Sequence, residues 1–388
     1  MPNFARRYNM ECTACHTVIP RLNEFGYQFR AAGYRMPEEI GKTETPTKFG
    51  DFTAFREQLS FVYSHSKDAA GNTSSSTQGV FNEITFYPIT MSFAKNWSTI
   101  VELSMVPDGT AEIENGYLRY NWGKQDLFFS LRGGVFHPFE GYGASDRPIS
   151  LSRPLFETVM PNYNQPTLYK LWGIDQVGVD FQVHYNRTAL SFTVFNGLNS
   201  SGEPAKGGGL VKTQAANPSS FNSKDIQMLV NQILTDDGGG LSVLYYHGNV
   251  DLPVKNTSNY FQNSYDRLAF FASYPVVKNS LLLAGYGYGS DKSYDYTANS
   301  VDGTFNSNGY FAEFDYGVND NLWLGLRYDN FDPATNKSSN SINAITLCAN
   351  VPLNNGIQFI AEYQNKTTQT PAGNATYGQF QVRAIAIW

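Results

Sequence analysis

The sequence is poor in charged residues, has few cysteines and contains no long apolar run. Charged residues make up 16% of the chain, against about 25% in an average soluble domain. Three cysteines are too few for a disulfide scaffold. A net charge of −6 without a Lys/Arg cluster argues against a general nucleic-acid binder. No uncharged apolar stretch reaches the ~18 residues that a membrane-spanning helix needs.

Aromatic residues are abundant instead. The 388 residues include 25 Tyr, 28 Phe and 5 Trp, and this richness excludes a disordered chain. The length allows about two soluble domains or one large barrel. Residues 1–7 lack the apolar core of a secretory signal peptide. We therefore expect either a cytoplasmic protein or the mature form of an exported one.

The clearest motif is Cys-Thr-Ala-Cys-His at residues 12–16, the C-x-x-C-H pattern of c-type haem attachment. In this pattern two thiols bind the haem vinyl groups, and the imidazole that follows becomes the proximal iron ligand. We therefore predict that Cys12 and Cys15 attach one haem c covalently and that His16 ligates its iron. Haem c is attached outside the cytoplasm, so we expect an exported chain whose signal peptide has been removed.

Two other kinds of site share part of this motif. A thioredoxin-like site would need a βαβ context, and a zinc ribbon would need a second cysteine pair. The only other cysteine, Cys348, is distant and alone. It is interpreted as an incidental buried thiol.

The residues after the motif are predicted to pack against the haem. Pro20 can open a helix, on which Leu22, Phe25 and Phe29 share one face. Three helical turns can cover one haem face but do not make an independent cytochrome domain. We therefore predict that residues 1–50 form a monohaem c-type segment that the rest of the chain must help to cover.

The distal iron ligand stays open on sequence grounds. Met36 lies 20 residues after His16, and a Met/His iron would have a high reduction potential. His137 is the main histidine alternative, and His65 and His184 are others. An open sixth coordination position is also compatible with the sequence.

Residues 51–388 alternate with a period of two. Near the C-terminus, for example, Leu324 and Leu326 alternate with Gly325 and Arg327. Segments of about 10 residues with aromatic ends are typical of a transmembrane antiparallel β-barrel, whereas a soluble sandwich would have shorter strands and a more charged polar face. We predict an all-β fold with about sixteen strands, at 52–63, 80–94, 97–107, 112–123, 127–136, 173–185, 188–197, 224–235, 240–249, 264–275, 280–290, 307–318, 321–331, 341–352, 356–366 and 376–388.

The links between these strands alternate in length. Links from even to odd strands have two to four residues, whereas the others are mostly longer and rich in Ser, Asn and Gly. The longer links include 64–79, 198–223, 250–263 and 291–306. Short turns on one side and long loops on the other are the outer-membrane pattern, and an even strand count puts both termini on the periplasmic side. Residues 223–234 could form an amphipathic helix, but a strand fits the alternation better.

The inward face of the predicted barrel is polar and charged. Most of its charges are interpreted as solvated pore lining: Arg56, Glu102, Arg119, Arg132, Asp180, Arg327, Glu362 and Arg383. Glu57 and Glu83 interrupt the apolar faces of the first two strands. Either the predicted strand register is wrong at these residues or they lie at an interface. The longest link, 137–172, resembles the third loop of general porins, which folds into the lumen; the alternative is an ordinary surface loop.

A specific string of residues carries a resemblance to a known family. Residues 4–6 (FAR), the haem motif, 20–26 (PRLNEFG), 29–30 (FR) and 32–34 (AGY) resemble the outer-membrane fused monohaem cytochrome–porins, which occur in iron-oxidising bacteria among others. The barrel is similar only in strand number and in a C-terminal aromatic, where Trp388 replaces the usual Phe. The resemblance implies an N-terminus in the periplasm, a haem at or in the barrel mouth, and electron transfer across the outer membrane.

Two main functions remain to be weighed. The leading hypothesis is a conduit that moves single electrons between an extracellular donor, with Fe(II) expected, and a periplasmic c-type cytochrome. The alternative is a diffusion porin whose haem segment is a structural or gating plug. A haem enzyme such as a peroxidase would need an acid/base group, for which His137 is the candidate.

Overall fold

Sixteen antiparallel strands form a closed barrel in this protein, which confirms the predicted fold class. The structure is a computed structural model, and it describes residues 1–106, 111–143, 148–161, 166–198, 224–253, 260–295, 300–353 and 356–388. Each barrel strand pairs with its neighbours in the chain, and the last strand pairs with the first to close the sheet. Within the described residues, no helix has the length and apolar character needed to cross a membrane.

Two short strands, β1 (His16–Val18) and β2 (Arg21–Leu22), form a hairpin ahead of the barrel. The barrel strands are β3 (Ala54–Lys67), β4 (Thr73–Phe93), β5 (Trp97–Met105), β6 (Ala111–Lys124), β7 (Leu127–Phe136), β8 (Gln176–Tyr185), β9 (Thr188–Phe195), β10 (Asp225–Ile233), β11 (Gly240–Pro253), β12 (Tyr260–Tyr274), β13 (Ser280–Asp295), β14 (Ser300–Asn319), β15 (Leu322–Asp332), β16 (Ile342–Leu353), β17 (Ile357–Thr370) and β18 (Gly373–Ile387). The segment that could have been an amphipathic helix is therefore a strand, β10.

The apolar face of the strands points outward. On β15, Leu324 and Leu326 are 44% and 51% exposed. The next residue, Arg327, points to the other side of the strand and is 1% exposed. Comparable apolar and aromatic side chains are exposed on the other barrel strands. The barrel therefore presents the apolar band that lipid contact requires.

The two ends of the barrel differ. At the short-turn end lie the beginning of β3, the end of β18 and the turns 94–96, 125–126 and 186–187. The long-loop end carries the other connections, some of which are shorter than predicted because the strands extend farther. Most of the predicted loop 64–79 is strand, and the hydroxyl groups of Ser64 and Ser76 lie 2.8 Å apart across it. The predicted loop 198–223 falls almost wholly outside the described residues.

A β-bulge accounts for Glu83. The register between β3 and β4 shifts at Gln58, so that Asn82 and Glu83 both point into the barrel, where Glu83 accepts hydrogen bonds from Arg56 and Gln58. Glu83 is therefore a lumen residue whose register was misread. Glu57 lies beside Arg56 on the opposite, outward side of β3.

The N-terminal segment, residues 1–53, precedes the barrel. It contains α1 (Pro2–Tyr8), the β1–β2 hairpin, α2 (Glu24–Ala31) and three single 3-10 turns. Helix α2 begins later than predicted, because Pro20 lies in the hairpin turn and the side chain of Asn23 caps the helix by accepting from the Gly26 N–H at 2.9 Å. Gly33 follows its end with a φ of +78°, as expected for a helix-ending glycine.

In a second segment, 137–175, the described residues fold into the barrel, as the resemblance to general porins predicted. This lumen loop contains α3 (Leu155–Thr158) and a π-helical turn, Tyr169–Gly173. The Leu155 N–H donates to Asp329 at 3.1 Å, and the Leu151 N–H donates to Glu362 at 2.6 Å. The loop is thus anchored on β15 and β17.

The prediction of a solvated pore lining is wrong for most of the inward charges. Seven of the eight are buried, namely Arg56, Glu102, Arg119, Arg132, Asp180, Arg327 and Glu362, whereas Arg383 is partly exposed. The N-terminal segment and the lumen loop cover much of the inner wall, and the covered charges are paired: Arg132, for example, contacts Glu140 at 2.7 Å and Asp180 at 2.9 Å.

Candidate functional site

The predicted haem segment lies in the barrel at the short-turn end. On one side it is held by Arg21, whose guanidinium contacts Asp315 of β14 at 2.7 Å and Glu313 at 3.7 Å. Arg21 and Asp315 are 3% and 1% exposed. Nearby, the Ile19 carbonyl accepts from the Gln358 amide at 2.8 Å. Buried charge pairing and hydrogen bonds therefore fix the hairpin to the wall of β14–β17.

On the other side the segment is held by β6. Arg119 donates to the Arg30 carbonyl at 2.8 Å, and Asn121 donates to the Ala31 carbonyl at 3.1 Å. Gly33 packs so closely on Ser98 and Asn121 that an added Cβ would collide with both side chains. Helix α2 therefore crosses the mouth of the barrel and is attached at its C-terminal end.

The haem motif is fastened to the start of α2. Cys12 is exposed, Cys15 is partly buried, and both thiols are free. The Asn23 side chain donates to the Ala14 carbonyl at 3.0 Å, and its backbone N–H donates to the Cys15 carbonyl at 3.0 Å. Gly26 packs against that same carbonyl, which leaves no room for a side chain. The position of the motif is thus defined by one asparagine and one glycine.

The ring of His16 is oriented by the hairpin that follows it. Its Nδ1 lies 3.1 Å from the Pro20 carbonyl and 3.3 Å from the Arg21 carbonyl. Because a carbonyl oxygen only accepts, Nδ1 carries the proton and Nε2 keeps its lone pair. Burial lowers the pKa of His16 to about 4, so the ring is neutral at pH 7.

These properties fit a proximal haem ligand. Iron-binding histidines are neutral and donate the other ring N–H to a carbonyl or carboxylate, which fixes the tautomer. Two free thiols precede His16 at the spacing that covalent haem attachment needs. The donor set present in the segment is therefore the one that a haem c requires.

The three predicted packing residues are divided between two clusters. Phe29 is buried among aromatic rings, with ring centroids 5.4 to 6.4 Å away; these rings belong to Phe4, Tyr8, Phe25 and Tyr34. Leu22 packs instead against Tyr27, Tyr142, Ala189 and Ile233. The split arises because Leu22 belongs to β2 and precedes the helix that carries Phe25 and Phe29.

The candidate distal ligands lie in different parts of the barrel. Met36 lies at the short-turn end, because the preceding residue, Arg35, donates to the Trp97 carbonyl there. His16 lies at the same end, because the next residue, Thr17, donates to the Asp237 carbonyl in a short turn. His137 lies at the long-loop end. Its N–H donates to Asn115, nine residues before the end of β6, or roughly 30 Å along the strand.

The other two histidines belong to the wall. His65 stands on the outward-facing side of β3, with its ring centroid 6.1 Å from that of Tyr63. His184 is buried in the lumen wall and stacks on Phe128 at 4.4 Å. The structure thus keeps both Met36 and His184 at the end of the barrel that holds His16, and it separates His137 from His16.

Several residues of the site were missed by the sequence reasoning. Arg21 belongs to the 20–26 string of the family resemblance, but its ion pair carried no signal, because its partner Asp315 is 294 residues away. Asn23 could have been found, since an asparagine directly before an apolar helical pattern indicates an N-cap. Glu140 anchors the lumen loop, and although burial raises its pKa, Arg132 and other nearby arginines outweigh burial and hold the pKa well below the usual range.

Comparison with known proteins places the fold. No protein-family model and no curated protein matches the chain. A loop L8 deletion mutant of OmpT, an outer-membrane protein of Vibrio cholerae, matches with a TM-score of 0.53 at 12% identity, over 87% of this chain and 99% of that one. An anion-selective porin from Comamonas acidovorans matches with a TM-score of 0.55 at 12% identity, again over 87% and 99%.

A third structure, OmpF of Salmonella typhi in complex with daunomycin, has a TM-score of 0.56 at 10% identity and covers 87% of this chain and 97% of that one. At such low identity the likeness concerns the fold alone. Together with the apolar outer band, it shows that this chain is a β-barrel with the fold of outer-membrane porins.

Proposed function

We propose that this chain is an outer-membrane electron-transfer protein with one covalent haem c. It would move single electrons between an extracellular donor, with Fe(II) expected, and a periplasmic c-type cytochrome. The observation that carries the proposal is the hydrogen bond from His16 Nδ1 to the Pro20 carbonyl in a C-x-x-C-H segment, because it leaves Nε2 free to bind iron. A bound haem supplies a one-electron Fe(III)/Fe(II) couple.

The residues of the segment have distinct parts in this proposal. Cys12 and Cys15 would hold the haem covalently and His16 would ligate it, while Asn23 and Gly26 keep the motif in place. Met36 is the candidate distal ligand, and it lies at the same end of the barrel as His16. Cys12 is exposed at the short-turn end, so a soluble partner can approach the attachment site there. That end would face the periplasm, as short turns do in bacterial barrels.

The filled lumen argues against an open diffusion porin. Helix α2 spans the mouth between two parts of the wall, and the lumen loop is tied to Asp329 and Glu362 above it. Solutes as large as sugars would have to displace buried ion pairs to pass. The barrel would then act as a sleeve that separates the redox group from lipid.

Stopped-flow spectroscopy of the purified holoprotein tests the proposal. Oxidised protein is mixed with Fe(II) at neutral pH, and the haem bands are followed. We expect fast reduction, and we expect it to be lost in His16→Ala. The matched control is His137→Ala at the opposite end of the barrel, which should retain it. Gel mobility before and after heating verifies that both barrels are folded, and peptide mass verifies haem attachment.

Two results would contradict the proposal. One is undiminished reduction in His16→Ala, and the other is a holoprotein that Fe(II) does not reduce. Liposome swelling with sugars adds a second readout, because a diffusion porin with a haem plug admits sugars and the proposed conduit excludes them.

A further inference from the structure

The inner face of β18 remains accessible to water where the neighbouring strand is covered. Its inward-facing side chains are all partly exposed: Gln379, Gln381, Arg383, Ile385 and Ile387. The direct partners of the first four on β17, which face the same lumen, are all buried: Gln364, Glu362, Ile360 and Gln358. Ile385 also packs in part against the buried cluster that contains Ile360. The boundary between filled and open lumen therefore runs between these two strands.

The two segments that fill the lumen end at β17. Glu362 accepts the N–H groups of Leu151 and Ser152 at 2.6 and 3.0 Å, and Gln358 donates to Ile19 in the N-terminal segment. The lumen loop and the hairpin therefore both contact the barrel wall at the same strand, β17.

The side chains of β18 bond to the wall itself. Arg383 donates to Ser60 and to Gln58, both at 3.1 Å, and Gln381 donates to Ser60 at 2.9 Å. These partners lie on β3, the next strand around the barrel. The polar side chains are therefore drawn sideways along the wall, and the inner face of β18 stays partly exposed; this partly exposed face is called the crevice below.

This crevice extends along most of the strand. From Gln379 to Ile387 the chain advances eight residues, roughly 26 Å at 3.3 Å per residue. The apolar band of such barrels is about 25 Å tall, and tilted strands cross it obliquely. The exposed column thus covers most of the height that separates the two ends of the barrel.

Arg383 gives the crevice its charge. In the described part of the chain no carboxylate lies within ion-pair distance of its guanidinium. The nearest acidic side chains are engaged elsewhere, Glu83 with Arg56 and Glu362 with the lumen loop. A positive charge halfway along a narrow polar path attracts small anions and repels cations.

We propose that β18 lines a narrow water-filled path for small hydrated anions, with Arg383 as the residue that selects them. The path lies beside the N-terminal segment and does not pass through the haem motif. This inference does not depend on the proposed electron transfer, and it adds an ion-conducting activity to the same barrel.

Cysteine accessibility tests the existence of the path. Gln379→Cys and Gln364→Cys form a matched pair, because the two glutamines lie directly opposite each other on adjacent strands. Folded holoprotein is treated with an anionic methanethiosulfonate, and adducts are located by peptide mass. We expect Gln379→Cys, near the middle of β18, and Ile385→Cys, near its short-turn end, to react at least ten times faster than Gln364→Cys. Equal rates in all three variants would overturn the proposal.

Ion selectivity tests the role of Arg383. In planar bilayers under a KCl gradient, we expect the holoprotein to give a small ohmic conductance whose reversal potential indicates anion preference. Arg383→Gln should weaken this preference and Arg383→Glu should reverse it, while Arg187→Gln at an exposed turn should leave it unchanged. No conductance, or a reversal potential that Arg383→Glu does not move, would overturn the proposal. Arg383→Glu should still be reduced by Fe(II) as fast as the unchanged protein, which separates this test from that of electron transfer.

Discussion

Among the links that attach the N-terminal segment to the barrel, the buried ion pair of Arg21 is expected to contribute most, and this can be tested by Arg21→Met. The substitution keeps most of the apolar volume but removes the charge that faces Asp315 and Glu313. Asp315 is 1% exposed and would be left without its partner at 2.7 Å. Removing one member of a buried ion pair costs about 3–5 kcal/mol. Since 1.4 kcal/mol corresponds to a factor of ten, the open population of the segment should rise roughly 10²- to 4 × 10³-fold.

A second arginine provides the matched control. Arg187 also joins the barrel to the N-terminal segment, through Glu24, but it is 40% exposed and its other partner Asp236 is 85% exposed. Such solvent-exposed pairs contribute about 0–1 kcal/mol. We therefore expect Arg187→Met to raise the open population less than about fivefold, although it breaks a link between the same two parts of the molecule.

Hydrogen exchange measured by mass spectrometry on residues 16–31 reports this opening. The amides of the hairpin and of α2 should exchange much faster in Arg21→Met and little faster in Arg187→Met. Adding Asp315→Asn to Arg21→Met should restore part of the protection, because the stranded charge is removed. Equal exchange in the two arginine variants, or no recovery in the double variant, would refute the assignment of Arg21 as the buried anchor.

Three further predictions concern the motif and the lumen loop. Gly26→Ala should destabilise the motif by about 1–3 kcal/mol, because the new methyl group meets the Cys15 carbonyl; thermal unfolding measures this, and equal loss in Gly79→Ala, which has open space around it, would contradict it. Asn23→Ala should raise hydrogen exchange in α2 about fivefold, as expected for a lost N-cap of about 1 kcal/mol, and unchanged exchange would show that the cap contributes nothing. Glu140 has a depressed pKa, so its stabilisation of the lumen loop is complete above the ordinary glutamate range and is lost progressively as the pH falls from that range through the depressed value. Bilayer conductance should therefore stay constant from pH 7 to about 4 and increase only at lower pH, whereas a rise already near pH 5 would show that Glu140 is not the anchor.

The barrel could be predicted from the sequence because its environment imposes a simple pattern. Lipid requires Leu324 and Leu326 to face outward, and the period of two follows. The pattern fails where the environment is the same on both sides. Near the long-loop end, β3 and β4 carry serines such as Ser64 and Ser76. The alternation of apolar and polar residues disappears there, so the sequence of these strands resembles that of a loop.

The site could be predicted only where its chemistry is local. Cys12, Cys15 and His16 are adjacent in sequence, and their spacing alone indicates covalent haem attachment. The burial of Arg327 could not be predicted, because a polar inner face has the same sequence whether water or another part of the chain covers it. Which side chains of the wall meet the segment depends on contacts such as Arg21 with Asp315, and no local pattern encodes them.

The docking of the N-terminal segment also fixes an order of assembly. Ile19 bonds to Gln358, 339 residues later in the chain, and Arg21 bonds to Asp315, 294 residues later. Contacts between such distant residues form late, because closing long loops is slow. The part of the chain that is made first can therefore reach its final position only after the last strands have joined the barrel. Until then the haem motif remains outside the lumen and accessible to whatever modifies it.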